Sequence, residues 1–212
     1  MKLTQLSGLI TLVIITIALL GLTNCTSDHK GFEQNNGSIN SSEYVNEEFR
    51  WKISKPQGSK FEHVEKTRSD INKGKEIIGN NGNGSINPGG AEPLVTIRRG
   101  ELSKIQVGKV THEEDLSLNW DNYLKAYQEF VYSNYAQMAS VDSSSSVSQI
   151  DSTDFNVLTF VVTDRTSNVK MTHHIFKRYY PEKKAEFVIN VTYDHVQDKY
   201  LLMRALALSE FY

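Results

Sequence analysis

The segment Phe155–Val162, which reads FNVLTFVV, carries apolar side chains on both sides of the strand that it predicts. Successive side chains of a strand point to opposite faces, so a strand with one buried face alternates apolar and polar residues. Here both faces are apolar, through Phe155, Val157, Leu158, Phe160, Val161 and Val162. Such a strand is typical of the centre of a sheet that is packed on both sides.

Two further apolar segments predict that this sheet continues as an antiparallel meander. They are VKMTHHIFKRYY (residues 169–180) and AEFVINVTYD (residues 185–194), and short polar turns precede them at residues 163–168 and 181–184. Short turns between successive strands favour antiparallel neighbours.

Earlier segments predict additional strands. FRWKIS (residues 49–54) alternates apolar and polar residues, which predicts a strand with one exposed face. We expect further strands at residues 61–66, 75–78, 94–99 and 104–110. Residues 79–93 are rich in Asn and Gly and predict a long loop, whereas the serine-rich residues 140–149 predict a loop that becomes a short strand near Ile150.

Two segments have the periodicity of amphipathic helices. Residues 116–138 form the first, with Ser117 as the expected N-cap, and the second lies at the C-terminal end of the chain. Their apolar stripes are Trp120, Tyr123, Leu124, Tyr127, Val131 and Tyr135 in the first helix, and Val196, Tyr200, Met203 and Ala207, with Leu206 alongside, in the second. These features predict an α/β fold, a three-layer sandwich in which helices cover both faces of a central, mainly antiparallel sheet.

The N-terminal residues predict an export signal. Lys2 precedes an apolar run from Leu9 to Leu22, which at 14 residues is shorter than the about 20 that span a membrane. The chain has 1 cysteine, Cys25, directly after this run, so an internal disulfide is impossible.

The four residues Leu22-Thr23-Asn24-Cys25 resemble a bacterial lipobox, in which the thiol is diacylated and the chain is cut before the cysteine. The resemblance implies a signal peptide over residues 1–24, a lipidated flexible tether over residues 25–43 and a globular domain over residues 44–212. The expected location is the bacterial cell envelope, and the absence of Asp directly after Cys25 favours the outer membrane.

Several segments of the globular domain are similar to the PsbP-like family. They are FRWKISKPQG (residues 49–58), WDNYLKAYQEF (120–130), FNVLTFVVTDRTSNVKMTHHIFKR (155–178) and AEFVINVTY (185–193). The family includes the extrinsic PsbP subunit of photosystem II, a Ran-binding nuclear import factor and many bacterial lipoproteins. The resemblance covers residues 44–212 and implies a PsbP-like sandwich that acts as a binding or assembly module.

The sequence offers few candidates for chemistry. His173 and His174 are adjacent on a predicted strand, so their side chains point to opposite faces and cannot hold one metal together. The run His112–Asp115 precedes a helix, where acidic residues interact favourably with the helix dipole. The glycine-rich residues 82–85 lack a following helix, and no Gly-x-Ser-x-Gly or phosphate-binding motif occurs in the chain.

We therefore expect a membrane-anchored, non-catalytic binding or assembly module with lipid on Cys25, no cofactor and no metal. A formal net charge of -2 gives no reason to expect nucleic acid as a partner, so the expected partners are the membrane and a protein. Two alternatives stay open. One is a surface-exposed adhesin that binds host or environmental macromolecules, and the other is a metal-dependent enzyme built around His112, His173 or His195.

Overall fold

The computed structural model describes residues 37–62, 65–67 and 91–212. In this part of the chain, 50% of the residues lie in strands and 25% in helices. The strands are β1 (Gly37–Ile39), β2 (Glu43–Asn46), β3 (Trp51–Ser54), β4 (Lys60–Glu62), β5 (Ala91–Arg98), β6 (Lys104–Thr111), β7 (Ala139–Ile150), β8 (Thr153–Asp164), β9 (Lys170–Tyr180), β10 (Ala185–Tyr193) and β11 (Glu210–Phe211). The longer helices are α1 (Trp120–Met138) and α2 (Val196–Ala207), and a 3-10 turn spans Pro181–Lys183.

The larger sheet has seven strands in the order β4-β5-β6-β10-β9-β8-β7. Every neighbouring pair is antiparallel. The predicted meander is confirmed, because β8 pairs with β9 and β9 with β10, and His173 lies between Phe160 and Thr192. All nine residues of β10 are buried, as expected for a strand at the centre of the sheet.

A smaller sheet has four strands in the order β1-β2-β3-β11. Its last strand comes from the opposite end of the described chain, with Phe211 paired to Trp51. The indole Nε1 of Trp51 donates to Ser209 Oγ at 3.0 Å, which fixes the segment leading into β11.

The smaller sheet and α2 pack together on one face of the larger sheet. The aromatic side chains carry this contact: the ring centre of Phe187 lies 4.7 Å from that of Phe49 and 5.2 Å from that of Trp51. Leu202 and Leu206 are the buried residues of α2. Burying a side chain of this size contributes about 1.5–3 kcal/mol, so this layer is a main source of stability.

Helix α1 packs on the other face of the larger sheet. Its buried residues are Leu124, Tyr127, Val131 and Tyr135, so the predicted stripe is confirmed at these positions. They meet a second apolar cluster from β8, β9 and β10 that includes Phe160 and Val188. The helix begins at Trp120 after Asn119, so the predicted N-cap Ser117 is wrong; Ser117 instead donates to Asp115 in the turn before the helix.

The predicted α/β fold, a three-layer sandwich in which helices cover both faces of the sheet, is wrong, because one face is covered by a second sheet together with α2. The structure is mostly β, with two antiparallel sheets, because the strand at residues 49–54 belongs to a second sheet that covers one face of the first. The predicted stripe of the second helix is also misplaced: Val196 is 84% and Tyr200 58% exposed, whereas Leu202 is buried. Apolar periodicity shows that a strand has a buried face but not which sheet it joins.

Other predictions fall partly or wholly outside the described residues. The signal peptide 1–24, Cys25, the strand at 75–78 and the glycine-rich residues 82–85 lie outside them. Residues 37–43, which the predicted tether includes, contain β1 and the first residue of β2. The serine-rich residues 140–149 form most of the twelve-residue strand β7 rather than a loop.

Candidate functional site

An open concave surface lies between α1 and the edge strand β7. One hollow, of about 410 Å³, is lined by residues that include Leu124, Gln128 and Val147. A second, of about 360 Å³, continues along the same helix past Tyr132 and Ser143. Lys125 and Gln128 line both hollows, so we treat them as one surface and call it the α1–β7 groove.

The groove forms because α1 crosses a strand with small side chains. Ser143, Ser145 and Val147 point towards α1, and Gln128 Nε2 donates to Ser143 Oγ at 3.4 Å. Leu124 and Leu158 provide an apolar floor. The rim carries hydroxyl groups together with the charges of Lys125, Asp121 and Glu129, so the groove can accept hydrogen bonds and ion pairs from a polar chain.

A buried ion pair lies below the N-terminal half of α1. Lys177 Nζ lies 2.8 Å from Glu186 Oε2, and the two side chains are 1% and 0% exposed. His112 Nε2 lies 2.6 Å from the other carboxylate oxygen of Glu186. Burial alone would raise the pKa of Glu186, but the charge of Lys177 and the hydrogen bond from His112 bring this pKa below its ordinary value.

Aromatic rings from α1 surround the ammonium group. Lys177 Nζ lies 3.5 Å from the ring centre of Tyr127 and 4.7 Å from that of Tyr123, which are cation–π distances. Trp120 stacks between Tyr123 and Tyr179, each at 5.5 Å. The stripe predicted as core therefore also forms an aromatic cage, and the protein's own lysine occupies it.

The environment of Lys177 lowers its pKa. Burial lowers the pKa of Lys177, and the neighbouring Glu186 opposes this shift. Because the side chain is enclosed by the cage, a substrate has no path to its nitrogen. The arrangement fits a structural charge cluster that orients α1 on the sheet.

The histidines considered as metal ligands do not converge. His112 contacts Glu186 at the start of β10, whereas His173 Nδ1 lies 2.7 Å from Thr192 Oγ1 near its end. His174 lies on the opposite face and contacts Tyr193, as strand alternation predicts. His195 is exposed and lies 3.5 Å from Asp194. Within residues 37–62, 65–67 and 91–212, no group of three or more acidic, His or Cys side chains could hold a metal.

A second polar cluster, around His173, was not predicted from the sequence. Gln106 and Asn190 are cross-strand neighbours on β6 and β10, and Thr192 pairs with His173. Four polar side-chain atoms of this cluster are buried without a hydrogen-bond partner in the described structure. They are Nδ2 and Oδ1 of Asn190, Oε1 of Gln106 and Nε2 of His173. Burial, followed by the charges of Lys104 and His174, lowers the pKa of His173 to about 3, so this imidazole is neutral.

The signal for this cluster was present in AEFVINVTYD, where Asn190 and Thr192 share one face of the strand with Glu186 and Val188. The sequence alone did not show that this face is buried. Each unsatisfied buried polar atom costs about 1–3 kcal/mol, so the cluster lowers the stability of the domain.

The comparisons with known proteins identify no family. No family model and no curated protein matches the chain. The PsbP-like resemblance therefore stays a prediction. Among the described residues, no helix is both long enough and apolar enough to cross a membrane.

Proposed function

We propose that the chain is a lipid-anchored binding protein of the bacterial cell envelope, with the lipid on Cys25 and the α1–β7 groove as the docking surface for a protein partner. The observation that carries the proposal is the lipobox-like Leu22–Cys25 at the end of a short apolar run. Acyl chains contribute about 0.8 kcal/mol for each buried CH₂, so two or more of them would hold the domain at a membrane.

The groove supports a binding role. It is open along one side of α1 and combines an apolar floor with hydroxyl, amide and charged groups on its rim. The buried ion pair of Lys177 and Glu186, by contrast, is enclosed and has the character of a structural element. A partner would contact the accessible side chains of α1, such as Lys125 and Tyr132, rather than the cage below them.

Labelling with an alkyne analogue of palmitate tests the anchor. The full chain should incorporate the label and sediment with membranes when it is produced in a bacterium. Cys25→Ser should lose the label and leave the membrane fraction. Equal labelling of the two proteins, or no labelling of the unsubstituted chain, would refute the anchor.

Photo-crosslinking tests the groove separately. A photoreactive amino acid at Lys125, on the rim of the groove, should give a discrete adduct with a partner in intact cells. The same substitution at the exposed Lys183, which is outside the groove, is the matched control. A common adduct pattern at both positions would contradict docking in the groove. Protease treatment of intact cells then shows whether the domain faces the periplasm or, as an adhesin would, the medium.

A further inference from the structure

Strand β7 presents a long unpaired backbone edge. Its twelve residues pair with β8 from Ala139 to Ile150 without a register shift. In the described part of the chain no strand pairs with its outer side, because β7 ends the order of the larger sheet. Residues 142–149 are all exposed, so their outward N–H and C=O groups are accessible.

This edge lacks the features that usually prevent strands from associating. Proteins protect edge strands with shortness, proline, lysine or bulges. The opposite edge of the sheet follows this rule, since β4 has three residues and carries Lys60 and Glu62. Strand β7 has no proline, lysine or arginine, and Asp142 is its only charged residue. It therefore has the properties of a pairing surface.

The two valines of β7 lie symmetrically about Ser144. Residues 141–147 read VDSSSSV, with Val141 three residues before Ser144 and Val147 three residues after it. If two such strands pair antiparallel around Ser144, Val141 of each copy lies opposite Val147 of the other, and Asp142 lies opposite Ser146. Side chains directly opposite one another are in contact, so this register buries valine against valine and opposes no like charges.

The valines also lie on the face that carries the helix. Val141 packs against the apolar cluster below α1, and Val147 lines the α1–β7 groove. Antiparallel strands that pair around one residue are related by a twofold axis perpendicular to the sheet. Both copies of α1 would therefore lie on the same face of the joined sheet.

We propose that two copies of this chain associate through β7, with Ser144 on the twofold axis. The product is one continuous antiparallel sheet with seven strands from each copy. The two α1–β7 grooves then face each other across the axis and form a single channel that is lined by β7 from both copies. This association goes beyond the proposed envelope function and does not depend on lipid at Cys25.

Cysteine crosslinking in the full chain tests the pairing. Cross-strand neighbours have Cα atoms about 4.5–5.5 Å apart, within the range for a disulfide. Ser144→Cys should therefore give an oxidised dimer in membranes of the producing cells. Ser148→Cys is the matched control, because the two copies of residue 148 would be about 27 Å apart along the strand at about 3.4 Å per residue.

The register has its own test. Ser140 lies opposite Ser148 of the other copy, so a chain with both Ser140→Cys and Ser148→Cys should form the dimer that Ser148→Cys alone does not. The unsubstituted chain gives the background from Cys25. Absence of the Ser144→Cys dimer, equal crosslinking of the two single variants, or a disulfide to a different protein would overturn the proposal.

Sedimentation of the detergent-solubilised full chain provides a measurement without added thiols. Ser144→Lys places two ammonium groups opposite each other on the axis. It should therefore raise the dissociation constant of the dimer at least tenfold. Ser148→Lys places each ammonium opposite a serine and should weaken the dimer much less. A monomer for the unsubstituted chain at all concentrations, or equal effects of the two lysines, would overturn self-association.

Discussion

Lys177 and Glu186 form an ion pair of 2.8 Å in which neither side chain exceeds 1% exposure. Two opposite charges that are removed from water depend on each other, because either one alone would be buried without compensation. The aromatic rings over Lys177 strengthen this dependence, since they exclude water from the ammonium group. The pair is therefore sensitive to the loss of one partner.

We expect Glu186→Gln to lower the free energy of unfolding by about 3–5 kcal/mol, because it leaves the Lys177 ammonium without its counter-ion. Urea denaturation followed by tryptophan fluorescence measures the loss. The control is Glu210→Gln, which removes the partner of Lys52 in a pair whose side chains are 34% and 59% exposed. A loss for Glu186→Gln that is no larger than that for Glu210→Gln would contradict a structural role of the buried pair.

The neutral His173 should make stability depend on pH. Its folded pKa of about 3 is below its ordinary value of 6.5, so between these values the unfolded chain binds the proton that the folded chain excludes. The contribution of the neutral His173 to the free energy of unfolding is complete above pH 6.5. It is lost as the pH falls towards 3, with a slope of about 1.4 kcal/mol per pH unit.

His173→Gln should remove the part of the pH dependence of the free energy of unfolding that comes from His173. The parts that come from other titratable groups should not change. Denaturation curves measured over about 3.5 pH units, from about pH 3.5 to about pH 7, give the difference between the variant and the unsubstituted chain. His195→Gln, which removes an imidazole that is 77% exposed, is the control. If the His173→Gln and unsubstituted curves run parallel, the imidazole is not excluded from protonation.

We expect Asn190→Leu to raise the free energy of unfolding by about 1–3 kcal/mol, because Asn190 is buried with both amide atoms unpartnered. The matched control is Asn46→Leu. Asn46 is equally buried, but it donates to Tyr44 Oη at 3.0 Å and accepts from the Phe49 N–H at 2.9 Å. Asn46→Leu should therefore lower the free energy of unfolding, because it removes these two hydrogen bonds. Changes of the same sign at both positions would show that the cluster at Asn190 is satisfied in solution.

Gly37 should not tolerate a side chain. A Cβ at this position would lie 2.6 Å from ring carbons of Tyr44, so Gly37→Ala forces β1 away from β2 at a cost of about 1–3 kcal/mol. Ser38→Ala, at the next and exposed position, should have little effect. The melting temperatures of the two variants measure the difference. Equal melting temperatures would indicate that β1 does not contribute to the folded domain.

The parts of the fold that sequence could predict are those where burial produces a periodic pattern. The meander from β8 to β10 was predicted because its apolar residues are dense and its turns are short. The buried face of α1 followed from Tyr127, Val131 and Tyr135 in the same way. In these segments, the residues that are apolar in the sequence pattern are the ones that the fold buries.

Other elements were missed for physical reasons. Strand β7 is exposed on nearly all its residues, so its serines show no apolar alternation and resemble a loop. Strand β11 has two residues, which is too short for a pattern. The candidate groove could not be predicted without β7, because this strand forms one of its walls. The cage around Lys177 joins residues from α1, β9 and β10, and no local motif identifies such a set.

The contact between Trp51 and Ser209 joins positions 158 residues apart in the chain. Contacts between such distant residues form late, since most of the chain must be ordered before its ends can meet. During synthesis or export, residues 51 and 209 emerge at very different times. The indole of Trp51 therefore stays exposed until Ser209 has emerged. We therefore expect closure of the smaller sheet to be the slow step by which the emerging chain becomes resistant to proteases.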